Sequence, residues 1–160
     1  MNTVHRFVRV KLGPGHPDVD DVVQETLIGA VGAAGRLRGS SKATVSAWLL
    51  SIARHKIADH LRMGYRDRGR RDDLSPNVTD PATTVDETIA HKDRAERVRK
   101  ALGLLTPEQE EVLILRFILG FDINEVAEMT MRPAGAVKSM QHRALASLQQ
   151  KLAGEEEAWR

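Results

Sequence analysis

The chain has no cysteine among its 160 residues. It therefore carries no disulfide framework, thiol nucleophile or Cys-ligated zinc site. Such a composition suits a reducing compartment. Aromatics are scarce: two Trp, one Tyr and three Phe make up 4% of the residues. A single large core draws on more aromatic mass than that, so small cores of Ala, Leu, Val and Ile are expected. No apolar run approaches the roughly 18 residues that mark a membrane-spanning helix, so no membrane insertion is expected. Met1-Asn2-Thr3-Val4-His5-Arg6 lacks the basic-then-apolar order of a secretion signal. The length suggests one domain or two small ones and excludes a barrel enzyme of about 250 residues.

Net charge is only +2, with charged residues at 29%, but the charge is unevenly placed. Residues 1–63 hold nine Lys/Arg against five Asp/Glu, whereas residues 101–160 hold six against nine. Within that acidic part, Arg132 to Lys151 has four basic residues and no acid. A polyanion would feel such a patch, because phosphate contacts release condensed counterions. A solvated helix face would look the same by charge alone.

Two apolar-periodic blocks flank one segment without periodicity, which predicts an all-α fold of two small helical domains. The boundaries read as 1–63, a linker over 64–90, 91–153 and a tail over 154–160. The linker opens on dense mixed charge from Gly64 to Asp73 and continues through Pro76 and Pro81. It offers too little apolar area to offset chain entropy, so a flexible segment is expected. The tail is expected to fray, as termini do.

The N-terminal block predicts three helices. The first spans about Thr3 to Leu12 and is broken by Gly13-Pro14-Gly15-His16-Pro17. The second starts at Asp18, with Val19, Val22, Val23, Thr26, Leu27, Ala30, Val31 and Ala34 as a buried stripe. Its opposite face carries Asp21, Gln24, Glu25 and Ile28. An isoleucine among acids hints at a docking surface, although a lone exposed Ile is ordinary. A polar loop from Gly35 to Lys42 leads to a third helix, Thr44 to Arg62. There Val45, Trp48, Leu49, Ile52, Ala53, Ile57 and Leu61 form an apolar face, and Arg54, His55, Ala58 and Arg62 a basic strip.

The C-terminal block predicts four helices. Ala95, Val98, Ala101, Leu102 and Leu105 are the stripe of the first. Thr106-Pro107-Glu108-Gln109 reads as a helix start: a Thr cap, a Pro at the first position and a Gln three after the cap. Val112 to Leu119 is nearly all apolar and should be buried, with Gly120 as its stop. Asp122-Ile123-Asn124-Glu125 is a second capping box, opening a short helix to about Thr130. After Met131-Arg132-Pro133 a long helix should run from Ala134 to Leu152, with Val137, Ala144, Leu145, Leu148 and Leu152 facing inward.

A short helix, a tight turn and a longer basic helix make a helix-turn-helix, whose second helix enters the major groove. Its outward positions are Lys138, Ser139, His142 and Arg143, with Arg132 in the turn. Arg can fork onto guanine, and Lys and Ser can hold phosphates. A plain helical hairpin is the bland alternative. Enzymatic readings fare badly, and no catalytic residue, metal site or cofactor is expected. His55 and His60 are five apart and do not share a helix face for a metal. No His-Glu-x-x-His, phosphate loop or Gly-x-Ser-x-Gly occurs. Asp18, Asp20 and Asp21 read as acids stabilising a helix N-terminus rather than as a cation site.

These segments resemble a known family. Asp20-Asp21-Val22-Val23-Gln24-Glu25-Thr26-Leu27 is similar to the core-binding segment in region 2 of bacterial sigma factors. Ala47-Trp48-Leu49-Leu50-Ser51-Ile52-Ala53-Arg54 followed by Asp59-His60-Leu61-Arg62 resembles that region's melting and minus-ten-reading helix. Leu105-Thr106-Pro107-Glu108-Gln109, Glu125-Val126-Ala127-Glu128, Gly135-Ala136-Val137-Lys138-Ser139 and His142-Arg143-Ala144 resemble region 4. Two such blocks and a short linker look like the extracytoplasmic-function (ECF) subfamily.

The resemblance implies a promoter-specificity subunit without catalytic activity, working in the cytoplasm and associated with the nucleoid when bound to polymerase. Asp20, Asp21, Gln24, Glu25 and Ile28 would dock onto the clamp helices of the largest polymerase subunit, with the flap as a further polymerase contact. Leu37, Arg38, Ser40 and Lys42 would catch a flipped base of the minus-ten element, and Trp48, Arg54, His55 and Arg62 would lie along that strand. Arg132, Lys138, Ser139, His142 and Arg143 would read the minus-thirty-five element. An anti-sigma factor is the further partner the family implies. The departures are specific: the first helix is short for the family, His55 replaces a common Asn, Val31 and Leu37 replace large aromatics, and Met140 and Gln141 replace Arg and Leu. Met140 and Gln141 imply an altered minus-thirty-five preference.

Two other classes fit parts of the chain. A helix-turn-helix regulator of response-regulator type would bind closed duplex without polymerase, but leaves the acidic helix and the Trp48 helix without a role. A helical protein–protein module would show no dependence on DNA sequence. Each reading head is small, so the free protein should bind duplex DNA weakly.

Overall fold

A computed structural model of the protein describes the backbone of residues 3–68 and 85–158, and the side chains of 3–64, 91 and 93–153. Among them the chain is helical throughout, with short turns. Helix α1, Thr3–Leu12, buries Val4, Phe7, Val8 and Leu12 and carries Arg9 and Lys11 in its last turn, where the helix dipole favours cations. Gly13 ends it with φ +115°, its N–H donating to the Arg9 carbonyl at 2.9 Å.

Helix α2, Val19–Ala33, buries Val19, Val22, Thr26 and Ala30. Thr26 satisfies its buried hydroxyl by donating to the Val22 carbonyl at 2.7 Å. The buried stripe is narrower than expected: Val23 is half-buried, and Leu27, Val31 and Ala34 are exposed. Among the described residues, α1 and α3 are the helices that pack along it, so they cover one line of residues and leave its shoulder open.

Helix α3, Lys42–Arg68, is longer than expected at both ends. It buries Ala43, Leu50, Ala53 and Ile57; Ala53 and Ile57 lie on the expected face, whereas Ala43 and Leu50 lie off it. Val45, Trp48, Leu49 and Ile52 are half-buried, and Leu61 is 45% exposed. Apolar residues surround more than half of this helix, so spacing alone leaves the phase of its buried face open. Of the expected linker, residues 64–68 belong to α3 and 85–90 to α4; residues 69–84 lie outside the described residues.

Helix α4, Val85–Leu102, buries Ala101 and Leu102, with Leu105 following, while Ala95 and Val98 are exposed against expectation. Helix α5, Pro107–Leu113, starts at the expected capping box: Thr106 Oγ1 accepts from the Gln109 N–H, and the Gln109 side chain accepts from the Thr106 N–H. It continues as a wider π-helical turn over Ile114–Ile118, where the Leu119 N–H reaches back to the Ile114 carbonyl at 2.9 Å. Ile114 and Leu115 are buried, but the widened register leaves Phe117 55% exposed, so the apolar run is not uniformly inside. Gly120, at φ +79°, ends the element as expected.

Helix α6, Ile123–Thr130, opens on the second capping box, with Asp122 accepting from the N–H groups of Asn124 and Glu125 at 2.8 and 2.9 Å. Met131 turns the chain at φ +52°, a left-handed conformation uncommon for a residue with a Cβ. Helix α7, Ala134–Ala158, runs six residues past the expected end. Val137 and Ala144 are buried, Leu148 and Leu152 half-buried, and Leu145 exposed, a second narrowing of an expected stripe.

The two helical units lie against one another. One cluster of buried side chains runs from Val4 in α1 to Ala144 in α7. Helix α6 packs on α3, and α1 meets the wide turn after α5.

Candidate nucleic-acid and partner surfaces

The first surface is the uncovered face of α2. Asp20, Asp21, Gln24, Glu25 and Ile28 are all exposed, Ile28 to 64%. Asp20 is held 3.4 Å from His5 Nε2, and Glu25 lies 3.7 Å from Lys56 Nζ. Leu27 and Val31, the latter 80% exposed, join Ile28 to make an apolar strip beside the acids. Periodicity had placed both inside. An apolar strip edged by carboxylates has the chemistry of a docking face for a basic partner.

The second surface runs from the loop before α3 along that helix. Leu37 is half-buried and caps a short 3₁₀ turn through its N–H to Ala34. Arg38, Ser40 and Lys42 are exposed. On the helix, Trp48 and Arg54 are half-buried, while His55 and Arg62 are exposed. His55 Nδ1 lies 2.8 Å from the Ser51 carbonyl. A carbonyl only accepts, so that nitrogen carries the proton and neutral His55 keeps Nε2 as an acceptor. Arg62 pairs with Asp59 at 3.2 Å.

Acids of the C-terminal unit meet this surface. Lys42 lies 2.7 Å from Glu125 and 5.2 Å from the centre of the Phe121 ring. Ser41 and Thr44 both donate to Glu128, Thr44 at 2.8 Å. Arg54 pairs with Glu111 and lies over the Phe7 ring. Lys11 of α1 pairs with Glu110 at 2.7 Å. The Glu125 carboxyl is held below its ordinary value, first by the Lys42 ammonium and then by the Asp122 N–H. Glu128 is lowered likewise by the Ser41 and Thr44 hydroxyls. Sequence reading gave none of Ser41, Thr44 and these four glutamates as a site residue. The signal available was an i, i+3 pair of acids, Glu125 and Glu128, on the first helix of an otherwise basic motif.

The third surface is the helix-turn-helix of α6, the Met131 turn and α7. Arg132, Lys138, Ser139, His142 and Arg143 are all exposed. None has an ion-pair partner among the described residues. Arg116 braces the motif from behind, donating to Gln141 Oε1 at 2.9 Å and to the Phe121 carbonyl. Between α1 and α4 lies a further cleft of about 430 Å³, with Arg6, Arg9 and Arg94 around a floor of Val10, Val98 and Leu102.

One cluster has metal-ligand spacing: His16, Asp18 and His60 bring donor atoms within 4.8 Å of one another. Asp18 contacts His60 Nε2 at 3.1 Å, and the His16 and His60 rings meet edge to face. Asp18 stands at the N-cap of α2 but makes no side-chain cap. Its carboxylate instead lies at ion-pair distance from His60 of α3. The pairing of His16 with His60 joins a loop to a helix 44 positions on, which no local spacing reveals.

Comparison with known proteins matches this arrangement. Residues 1–67 match the family model of Sigma-70 region 2, and residues 95–148 that of Sigma-70, region 4. The ECF RNA polymerase sigma factor SigD of Mycobacterium tuberculosis is 31% identical over 152 residues, covering 93% of this chain and 71% of SigD. Among solved structures, CnrH in complex with the cytosolic domain of CnrY superposes with a TM-score of 0.64 at 26% identity, covering 95% of this chain and 81% of CnrH. The sigma factor RpoE in complex with the anti-sigma factor NepR, from Bartonella quintana, gives 0.57 at 25% identity, covering 94% and 92%.

Proposed function

The chain belongs to the ECF sigma factors, promoter-specificity subunits of RNA polymerase, and we propose how its surfaces divide that work and that it has no catalytic activity of its own. The α2 face binds core polymerase. Asp20, Asp21, Gln24 and Glu25 meet basic groups on the clamp helices, and Ile28 with Leu27 and Val31 supplies the apolar contact. Leu37, Arg38, Ser40 and Lys42 take an unstacked minus-ten base, and Trp48, Arg54, His55 and Arg62 follow that strand. Arg132, Lys138, Ser139, His142 and Arg143 read the minus-thirty-five duplex from the major groove. The units correspond to residues 1–63 and 91–153. As a polymerase subunit the protein works in the cytoplasm, at the nucleoid when bound. An anti-sigma factor is a further partner, and the arginine-rimmed cleft suits an acidic amphipathic segment.

The observation that carries this reading is the uncovered α2 face, with 64% of Ile28 exposed among carboxylates. A regulator acting without polymerase has no use for that face. The test is run-off transcription with core polymerase and a genomic DNA library, sequencing the transcript starts, with a pull-down of core polymerase alongside. Shared motifs at two fixed upstream positions are expected. A chain that neither binds core polymerase nor yields starts overturns the assignment.

A further inference from the structure

His16, Asp18 and His60 bring three donor atoms within 4.8 Å of one another. All three side chains are half-buried, so they converge at the seam between the turn before α2 and helix α3. The backbone places them there. Gly13 and Gly15, at φ +115° and +83°, fold the chain back ahead of α2. The His16 N–H donates to the Gly13 carbonyl, and the His16 carbonyl accepts from the Val19 N–H, both at 3.3 Å. His60 stands inside α3, which packs along α2. The donors are therefore carried by a pinned turn and a rigid helix.

One carboxylate oxygen faces both imidazoles. Asp18 Oδ2 lies 3.1 Å from His60 Nε2 and 3.9 Å from His16 Nδ1. His16 Nδ1 accepts from the Asp18 N–H at 3.3 Å, so this nitrogen presents a lone pair and not a proton. Neither member of the His16–Asp18 pair brings a proton to the other, and a cation between them satisfies both. Donor atoms on a four-coordinate zinc ion, each about 2.0–2.1 Å from it, stand about 3.3 Å apart. The Asp18–His60 separation already meets that spacing. The His16 ring closes the remainder by rotating its side chain, releasing the long contact to the Asp18 N–H. Two imidazoles and one carboxylate select a borderline ion, whereas calcium and magnesium prefer oxygen ligands throughout.

We propose that His16, Asp18 and His60 form a binding site for a divalent transition-metal ion of the zinc class, with water in the fourth position. The ion bonds the turn ahead of α2 to α3. It thereby fixes the start of α2, where the docking acids Asp20 and Asp21 follow Asp18 in sequence. Every ligand belongs to the N-terminal unit, so the ion acts independently of the contact between the two units.

The full chain is prepared without a histidine tag and stripped with chelator. Zinc chloride is titrated by calorimetry, and cobalt(II) chloride by visible absorption, at neutral pH and fixed salt. The absence of cysteine removes thiolates as competing ligands. His16→Gln, His60→Gln and Asp18→Asn each remove one ligand. His91→Gln, at an exposed position of α4, is the control. Circular dichroism scores whether each variant keeps its helices.

One zinc ion per chain is expected, with a micromolar or tighter Kd. Each ligand variant should bind at least about tenfold more weakly, and the His91→Gln chain within about twofold of the unsubstituted one. Cobalt should give the intense visible bands of a four-coordinate ion. Zinc at about a hundredfold above Kd should raise the melting midpoint by about 5 °C or more, and the rise should vanish in the two histidine variants. No zinc binding by the unsubstituted chain overturns the site, however the variants fold. Binding that survives in both histidine variants places the ion elsewhere and overturns it too. Calcium or magnesium binding as tightly as zinc overturns the assignment to the zinc class.

Discussion

Lys42 and Glu125 meet at 2.7 Å although 83 positions separate them in sequence. The same ammonium lies over the Phe121 ring, and the same carboxylate closes the α6 capping box. One residue therefore starts a helix of the DNA-reading motif and fastens that motif to the other unit. An exposed ion pair contributes at most about 1 kcal/mol, and an exposed cation–π contact about the same. No single contact holds the units; the set does.

Acid should open this arrangement. Lys42 and the Asp122 N–H lower the Glu125 carboxyl, and the Ser41 and Thr44 hydroxyls lower Glu128; partial loss of solvation opposes both, followed by the Asp122 carboxylate for Glu125 and by Glu125 for Glu128. A lowered folded value stabilises the closed form fully above the ordinary carboxylate range, and that stabilisation is lost as pH falls through the lowered values. Energy transfer between dyes on cysteines introduced at the exposed positions Gly32 and Asn124 should be constant near neutrality and fall only below the ordinary carboxylate range. Circular dichroism should show that helicity outlasts it. Glu125→Gln with Glu128→Gln removes both carboxylates, so in that chain the fall should be absent.

Leu50 and Leu61 should separate sharply. Leu50 is fully buried, so Leu50→Ala should cost about 2–5 kcal/mol in urea denaturation. Leu61→Ala, at a side chain 45% exposed, should cost under about 1 kcal/mol. Equal costs would mean that α3 buries the face which spacing alone suggested.

That contrast shows how much the sequence reveals. Chain punctuation was legible because its causes are local: Thr106 and Asp122 cap, Pro107 begins, and Gly13 and Gly120 stop. The exposed α7 positions were legible too, since polar residues between Val137 and Ala144 leave one phase. The widths of the buried stripes on α2 and α3 were not, because excess apolar residues at Leu27, Val31 and Leu61 widen the stripe beyond what neighbours cover. The π-helical turn that exposes Phe117 has no residue signature in Ile114–Ile118. The seats of Glu111, Glu125 and Glu128 depend on how the two units pack, which no window of sequence contains.

Val31→Asp tests the docking face. The side chain is exposed, so melting should not change. Losing an apolar contact at an interface core costs on the order of 1–2 kcal/mol, so affinity for core polymerase should drop roughly tenfold. Unaltered affinity in a pull-down titration would remove Val31 from that face.

Arg143→Ala should relax one base pair. A bidentate arginine contributes about 1–3 kcal/mol of discrimination at the base it contacts. Transcript starts from a randomised promoter library should lose preference at one position of the minus-thirty-five element. Lys138→Ala should weaken all sequences alike if it holds phosphate. The reverse pattern would exchange the two roles.

Because α3 and α6 belong to one chain, their contact is unimolecular. Modules on a short tether face each other at an effective concentration on the order of millimolar. Any other ligand of these α3 groups must outcompete that standing local supply of carboxylate, however weak each pair. Dilution of the protein does not relieve it. A ligand that holds the two units apart does.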